Sequence, residues 1–368
     1  MASPPAPTPE QLGWLSVEPP RDDQDLPVAW TLADVRINEV KWAQPILHDH
    51  LTLERVQFTA AQWDRPVFRD CLLREVSFAR TTFSHARFEG VVFQDCSFEG
   101  STFEACVLDN CRFESCNLRF TTMLRTQTLR CVFTSLDVTV LDLRECDLSD
   151  SKFVTSKLHG PRVTRTTAST LELEGGELRG ADLTACELNT LRITNVAVEG
   201  LRVIDCALEA GELYGGRIAE FSMSGTTAKR LIVSGCSELP GLRLLDCRID
   251  ELRLEACLNI PSPLIADSVL GGLITDNVVL YDAAFERVEA GDHSLLNDTT
   301  LTGALFNAGR WARLQLTGAS LKDYVAVNNT HFQLLAFEQV QIDDAAQLRL
   351  AGDTYGDGSM TWGDLRGA

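Results

Sequence analysis

The chain has 368 residues, with 33 Lys and Arg against 52 Asp and Glu and a formal net charge of −19. So acidic a chain lacks the excess of cationic side chains with which proteins bind duplex nucleic acid or an anionic membrane. It has no run of about 18 consecutive apolar residues, the length of a membrane-spanning helix. Its first ten residues show neither the basic start nor the apolar core of a secretory signal. We therefore expect a cytoplasmic protein with no direct nucleic-acid or membrane contact.

The first 47 residues differ from the rest of the chain. Residues 1–10 are rich in proline and are predicted to be disordered, whereas residues 11–47 contain Trp14, Trp30 and Trp42. Repetitive folds need their open ends covered. Residues 11–47 are therefore predicted to form an N-terminal cap of short strands, and a surface for docking a partner is the alternative.

From Leu53 to Val233 an apolar residue recurs at every fifth position. Counting alanine as apolar, 36 of these 37 positions are apolar, and Thr128 is the exception. At the 45% apolar content of the chain, about 17 would be expected by chance. A regular repeat of five residues therefore organises this part of the chain.

A period of five fits neither ordinary secondary structure. On an α-helix the apolar positions would spiral around the axis, and on a flat strand they would alternate between faces. The chain must turn within each unit of five. The apolar residue of each unit, called its centre here, can then point toward a common interior. The residue two positions before the centre is mostly small, which predicts a second, cramped inward position. Examples are Cys71, Thr81, Ala86, Cys96, Ser101, Cys106, Cys116 and Cys146.

Units such as Cys96-Ser97-Phe98 and Ala181-Asp182-Leu183 resemble the A(D/N)LXX motif of pentapeptide-repeat proteins. The resemblance covers residues 48–345, regular over 48–236 and degenerate over 237–345. It implies an all-β fold, a right-handed quadrilateral β-helix in which four successive units make one coil, with a small N-terminal cap. About 15 coils would then stack on one another.

The repeat changes phase in its C-terminal part. A one-residue slip near Ser237 precedes the interruption at residues 258–263. Each slip is interpreted as a bulge at a corner, or alternatively as a protruding loop. Residues 346–368 are predicted to be a tail. The later centres are predicted to be Leu280, Phe285, Leu295 and Leu305 in one phase, Leu316 and Leu321 in the next, and Phe332, Phe337 and Ile342 in a third.

The twelve cysteines follow the repeat rather than a ligand motif. Ten of them, from Cys71 to Cys236, fall on the small inward position, which favours buried, reduced thiols that act as small hydrophobes. Disulfides and a metal site are less favoured alternatives. No nucleophile, paired-histidine or phosphate-loop motif is present. We therefore predict no enzyme activity, no cofactor and no metal site.

The charge distribution bears on function, because the resemblance implies that some relatives bind DNA gyrase by imitating DNA. Residues 51–250 carry 28 acidic and 23 basic side chains, whereas residues 251–300 carry 9 and 2. Mixed charge does not imitate a ladder of phosphates. The leading prediction is therefore a non-enzymatic scaffold for protein–protein interaction, by analogy part of a bacterial multiprotein or secretion-linked assembly.

Two further expectations concern partners. The alternative function is a DNA-mimicking regulator or protector of DNA gyrase or topoisomerase, and a homodimer is compatible with either function. The candidate partner-binding residues form an acidic window, for which a merely solvated face is the alternative. They are Asp276, Asp282, Glu286, Glu289 and Asp292.

Overall fold

The computed structural model describes residues 30–34, 36–38, 41–42, 46–342 and 347–351. Every regular element within these residues is a β-strand. The described part of the chain offers no helix that could cross a membrane. The chain divides into two compact units, Met1–Glu187 (unit 1) and Leu188–Ala368 (unit 2). The fold is the predicted all-β one, a parallel β-helix of about 15 turns.

The described strands of unit 1 are short, and most contain three residues. They are Trp30–Ala33, Arg36–Asn38, Lys41–Trp42, Ile46–Asp49, Leu51–Glu54, Gln57–Thr59, Gln62–Asp64, Pro66–Arg69, Leu72–Arg74, Thr82–Ser84, Arg87–Glu89, Val92–Gln94, Thr102–Glu104, Val107–Asp109, Arg112–Glu114, Thr122–Leu124, Gln127–Leu129, Val132–Thr134, Asp137–Thr139, Asp142–Arg144, Ser151–His159, Arg162–Thr164, Thr167–Arg179 and Asp182–Thr184.

Strand Glu187–Thr194 contains the boundary between the units. The strands that follow in unit 2 are Ala197–Glu199, Arg202–Ile204, Ala207–Tyr214, Arg217–Ala219, Ser222–Ser224, Thr227–Ser234, Arg243–Leu245, Arg248–Glu255, Ile260–Pro261, Leu264–Ala266, Val269–Leu270, Leu273–Asp276, Val279–Tyr281, Ala284–Glu286, Glu289–Ala290, Ser294–Asn297, Thr300–Asn307, Arg310–Thr317, Ser320–Asn328, His331–Glu338, Gln341–Ile342 and Gln347–Ala351.

The strand register in unit 1 repeats after every fourth unit. Phe93 pairs in parallel with Leu73 on one side and with Phe113 on the other. The next strand, Thr102–Glu104, repeats the same step, since Phe103 pairs with Phe83 and Met123. One turn thus holds four five-residue units on four successive faces, as the resemblance implied.

A left-handed backbone conformation turns the chain at most corners. There the residue two positions after a centre has a positive φ, for example 53° at His85 and 53° at Asp95. Residues with a side chain usually avoid this region. Here the corner amide is held by the neighbouring turn, because His85 N–H donates to the Glu104 carbonyl at 2.8 Å. This corner is the turn that the five-residue period required.

The centres form the core, and each stacks on the centre of the adjacent turn. Phe58, Phe78 and Phe98 are completely buried. Their ring centroids follow one another at 5.2 Å, with nearly parallel planes. Such offset stacking adds to the stabilisation from burial of the apolar surface. Thr128, the exception to the apolar period, occupies its centre fully buried.

The small inward position has a second role that the sequence pattern did not show. Cys106 Sγ donates to the Phe83 carbonyl at 3.3 Å. One turn later, Thr126 Oγ1 donates to the Phe103 carbonyl at 3.1 Å. Cysteine, threonine and serine therefore recur at this position because each is small and also carries a hydrogen-bond donor.

The described residues near the N-terminus continue the ladder. Trp30–Ala33 pairs in register with Leu51–Glu54, and Arg36–Asn38 pairs with Gln57–Thr59. Residues 1–10 and 11–29 lie outside the described residues, so the disordered start and the cap remain predictions. In the predicted tail 346–368 the structure describes only residues 347–351, a strand that pairs with Tyr324–Asn328.

The phase of the C-terminal part differs from the predicted one in places. The predicted slip near Ser237 is confirmed, since Leu239, six residues after Val233, is fully buried. The assignment of Leu295 and Leu305 as centres is wrong, because both are only half-buried and face outward. The actual centres are Leu296 and Phe306, at 0% and 3% exposure. Adjacent apolar residues made the phase ambiguous, because in this region apolar side chains also occupy outward positions.

Candidate protein interaction surface

The cysteines lie inside the coil. All twelve are free and buried. Burial raises the pKa of Cys71 and of Cys106 to about 12, and that of Cys146 to about 11. A thiol that stays protonated at neutral pH is a poor nucleophile and a poor metal ligand. The described residues bring no three His, Cys, Asp or Glu side chains into position to hold a metal ion. The groups open to a partner are therefore the outward-facing ones.

The outer surface of unit 1 carries acids and bases side by side. Because a step of four units leads to the same position one turn away, a base and an acid four units apart are neighbours. Arg69 thus pairs with Glu89 at 2.9 Å, and Arg165 pairs with Glu145 at 2.8 Å. The pair between Arg125 and Glu104, at 2.6 Å, joins adjacent turns in a similar way. These arginines neutralise acids on the same faces.

The acidic window predicted from the sequence does not form one patch. Asp276 is the residue after the centre Thr275. Asp282 occupies the second corner after that centre, with a φ of 48°. Glu286 and Glu289 lie on the two following strands, and therefore on two further faces. Asp292 lies at the corner after them, so the window runs around a turn. The structure brings only Asp276 and Asp292 to the borders of one face.

That face of unit 2, named here the cleft face, carries a cleft of about 430 Å³. Its centres Thr275, Leu296 and Leu316 pair in register and point inward. The residues on either side of the centres point outward in two columns. The first column is Ile274, Leu295 and Gln315, and the second is Asp276, Asn297, Thr317 and Glu338.

A protruding corner forms one wall of the cleft. The centres Ala290 and Leu296 are six positions apart rather than five. At this longer corner the side chains of Asp292 and His293 are 76% and 82% exposed. Glycines let this corner approach the adjacent turn closely. A Cβ on Gly291 would lie 2.3 Å from the Gly271 carbonyl oxygen. The corner therefore depends on the absence of a side chain at Gly291.

Hydrogen bonds order the polar side chains of the cleft. Arg313 donates to the Gln315 side-chain oxygen at 2.6 Å, and Gln315 donates in turn to Thr317 Oγ1 at 3.2 Å. Asn297 donates to Asp276 at 2.5 Å. Among the described residues that line the cleft, Arg313 is the single Arg or Lys.

The carboxylates of the cleft face lack the neutralising arginines seen in unit 1. Asp292 contacts His293 at 3.5 Å, and Glu338 accepts a hydrogen bond from Gln315 at 3.5 Å. Within the described residues neither of them, nor Asp276, forms an ion pair with Lys or Arg. The cleft therefore has a negative border around the half-buried apolar side chains of Ile274 and Leu295.

The sequence indicated part of this surface only. The excess of acid in residues 251–300 pointed to Asp276 and Asp292. Leu295 was assigned to the core, because an outward apolar residue beside an inward one cannot be distinguished by period. Glu338 lies two turns from Asp292 and outside the acidic window, so charge counting along the chain did not include it.

Comparison with protein families matches the first part of the repeat. Models of pentapeptide repeats match residues 53–95, with 8 copies, and residues 78–126, with 9 copies. No curated protein sequence matches the chain.

Two solved structures illustrate the similarity. HetL, a pentapeptide repeat protein involved in heterocyst differentiation regulation from the cyanobacterium Nostoc sp. strain PCC 7120, is 11% identical and has a TM-score of 0.31, over 74% of this chain and 84% of HetL. Trypsin-treated QnrB1, a plasmid-mediated fluoroquinolone resistance protein, is 18% identical with a TM-score of 0.20, over 44% of this chain and 91% of that structure. By both family models residues 53–126 are pentapeptide repeats, and the same five-residue period continues beyond them to Val233.

Proposed function

We propose that the chain is a non-enzymatic scaffold that binds a partner protein in the cytoplasm. The observation that supports this most directly is the register of the outward side chains. Arg87, Val107 and Gln127 occupy one outward position in three successive turns, held by paired strands. A surface ordered in this way loses little conformational freedom when a partner binds, and that favours affinity.

The alternative, imitation of DNA toward gyrase or topoisomerase, is less well supported. A DNA mimic needs carboxylates that are free to take the place of phosphates. In unit 1, Glu89, Glu104 and Glu145 each pair with an arginine. The acids with no Lys or Arg partner around the cleft border a small apolar surface, which has no counterpart in the phosphate backbone of duplex DNA.

A photo-cross-linking experiment in the native cells tests the scaffold. A photoreactive amino acid replaces one outward residue at a time on the four faces of unit 1, at Gln94, Asn117, Thr122 and Gln127, and also Gln315 of unit 2. We expect discrete adducts with another protein from the positions on one or two neighbouring faces. The absence of an adduct from all five positions in folded, expressed protein would contradict the proposal.

Two outcomes separate the alternatives. An adduct of twice the mass of the chain would identify a second copy as the partner. A supercoiling assay with purified gyrase, with and without a quinolone, tests DNA mimicry directly. Inhibition or protection by the wild-type chain would favour the mimic over the scaffold.

A further inference from the structure

We propose that the cleft of unit 2 binds an extended segment of a partner protein in which an apolar side chain is flanked, two residues away on each side, by Lys or Arg. This inference rests on the proposed function and adds the chemistry of the partner. It follows from three properties of the cleft: its apolar floor, its unneutralised carboxylates and the spacing of its columns.

The apolar floor limits the size of the ligand. Ile274 and Leu295 are directly paired in register, and both are half-buried. The cleft volume of about 430 Å³ falls at the lower end of ligand-binding pockets, which range from about 300 to 1,000 Å³. A cleft of this size accommodates a few side chains rather than the face of a folded domain. Burying one aliphatic or aromatic side chain against Ile274 and Leu295 removes apolar surface of both partners from water.

The border of the cleft selects the charge of the ligand. Asp292 lies on one side, and Asp276 and Glu338 lie on the other. Asp298 occupies the corner beyond that second side. None of these carboxylates has a Lys or Arg partner within the described residues. Arg313 keeps its positive charge while it donates to the neutral Gln315, but the carboxylates at the border outnumber this one cation. The net negative potential attracts cationic side chains and repels acidic ones.

The spacing of the columns selects the conformation. Ile274 and Asp276 are two residues apart on one strand, so their outward side chains are separated by about 7 Å. In an extended peptide, alternate side chains on one side are separated by the same distance. A segment lying across the face can therefore place an apolar residue over Ile274 and Leu295 and a cationic residue over Asp276. A second cationic residue, on the other side, then faces Asp292.

Fluorescence anisotropy with defined peptides tests the proposal. The probe is the fluorescein-labelled peptide Gly-Arg-Ser-Leu-Ser-Arg-Gly, titrated with the full chain. One matched peptide has glycine in place of leucine, and another has glutamate in place of both arginines. We expect saturable binding of the probe, at least about tenfold weaker binding of the glycine peptide, and no binding of the glutamate peptide.

Matched variants locate the binding. The double substitution Asp276→Asn and Asp292→Asn should weaken binding of the probe at least about tenfold. The control Glu220→Gln and Asp246→Asn removes the same charge from exposed corners of other faces and should leave binding unchanged. Thermal melting of both variants should match that of the wild-type chain, so that lost binding is not lost folding.

Three results would overturn the inference. Equal binding of the leucine and glycine peptides would show bulk attraction of charge rather than recognition in the cleft. Equal weakening by the two double substitutions would show the same. No saturation at about 1 mM of either component would exclude a useful peptide site. None of these results bears on the proposed scaffold function, which the cross-linking experiment tests separately.

Discussion

Phe93 stacks on Phe113 of the next turn, with ring centroids 4.6 Å apart and an interplanar angle of 20°. Phe133 continues the column, with its ring centroid 4.8 Å from that of Phe113 and an interplanar angle of 17°. Each ring is therefore packed between two turns, and its removal weakens the contact with both neighbours.

Truncating a ring in this core should destabilise the fold strongly. We expect Phe93→Ala and Phe98→Ala each to lower the free energy of unfolding by roughly 3–5 kcal/mol, because both side chains are fully buried. The control is Phe120→Ala at a corner, where the ring is 51% exposed and should contribute far less. Urea unfolding followed by circular dichroism measures all three, and equal shifts would refute the assigned phase.

The inward cysteine position should accept threonine. Thr126 makes the same hydrogen bond one turn away that Cys106 makes to Phe83. We therefore expect Cys106→Thr to change the free energy of unfolding by no more than about 1 kcal/mol. Cys106→Leu, which overfills the site, should cost about 1–3 kcal/mol. A larger loss for threonine than for leucine in urea unfolding would be inconsistent with this role.

The buried thiols should make stability fall at alkaline pH. Burial raises the pKa of Cys71 and Cys106 to about 12, whereas an unperturbed thiol titrates near 9. Between these values the unfolded chain has released protons that the folded chain retains, so each such thiol lowers stability by about 1.4 kcal/mol per pH unit.

This loss is absent below the unfolded pKa and grows as the pH rises toward the folded one. Comparing urea midpoints of the wild-type chain and Cys106→Thr at neutral and alkaline pH isolates one thiol. The variant should lose less stability than the wild type, and identical losses would argue against a buried protonated thiol.

Glu212 should contribute more than an exposed carboxylate. Its residue exposure is 6%, and its carboxylate contacts Arg192 at 2.8 Å and Arg230 at 3.3 Å. Losing these charged hydrogen bonds in Glu212→Ala should cost about 1.5–3 kcal/mol.

The matched control for Glu212 is Asp267→Asn. The hydrogen bond from Arg287 lowers the pKa of Asp267, yet this pair is exposed to solvent. We expect no measurable change in thermal unfolding for the control, because exposed pairs contribute little. A melting temperature lowered as far as in Glu212→Ala would contradict the difference in burial.

The close approach at the wall of the cleft requires glycine. Gly291→Ala would place a Cβ 2.3 Å from a carbonyl oxygen, so we expect a loss of about 1–3 kcal/mol. Gly180→Ala is the control, since nothing lies within 4 Å of its Cβ position. Its φ of 58° is close to that of Ala185, at 52°, so the control should cost about 1 kcal/mol or less. Thermal unfolding compares the two variants, and a larger loss in the control would contradict the crowding at Gly291.

The fold could be predicted from the sequence because its cause is local. An apolar centre at every fifth residue, as at Phe83, Phe88 and Phe93, admits few arrangements other than a coil with a corner in each unit. The burial of the cysteines followed from the same period. Their hydrogen bonds between turns did not, because in these the donor and its acceptor are 23 residues apart, as in Cys106 and Phe83.

The surface was decided by tertiary structure. Whether a corner contains five or six residues determines which side chain faces outward, and neighbouring apolar residues such as Leu295 and Leu296 leave that choice open in the sequence. Charge totals also average over four faces, so they did not separate the paired acids of unit 1 from Asp292 and Glu338 at the cleft. Local periodicity thus determined the coil, whereas contacts between turns determined which residues meet on its outside.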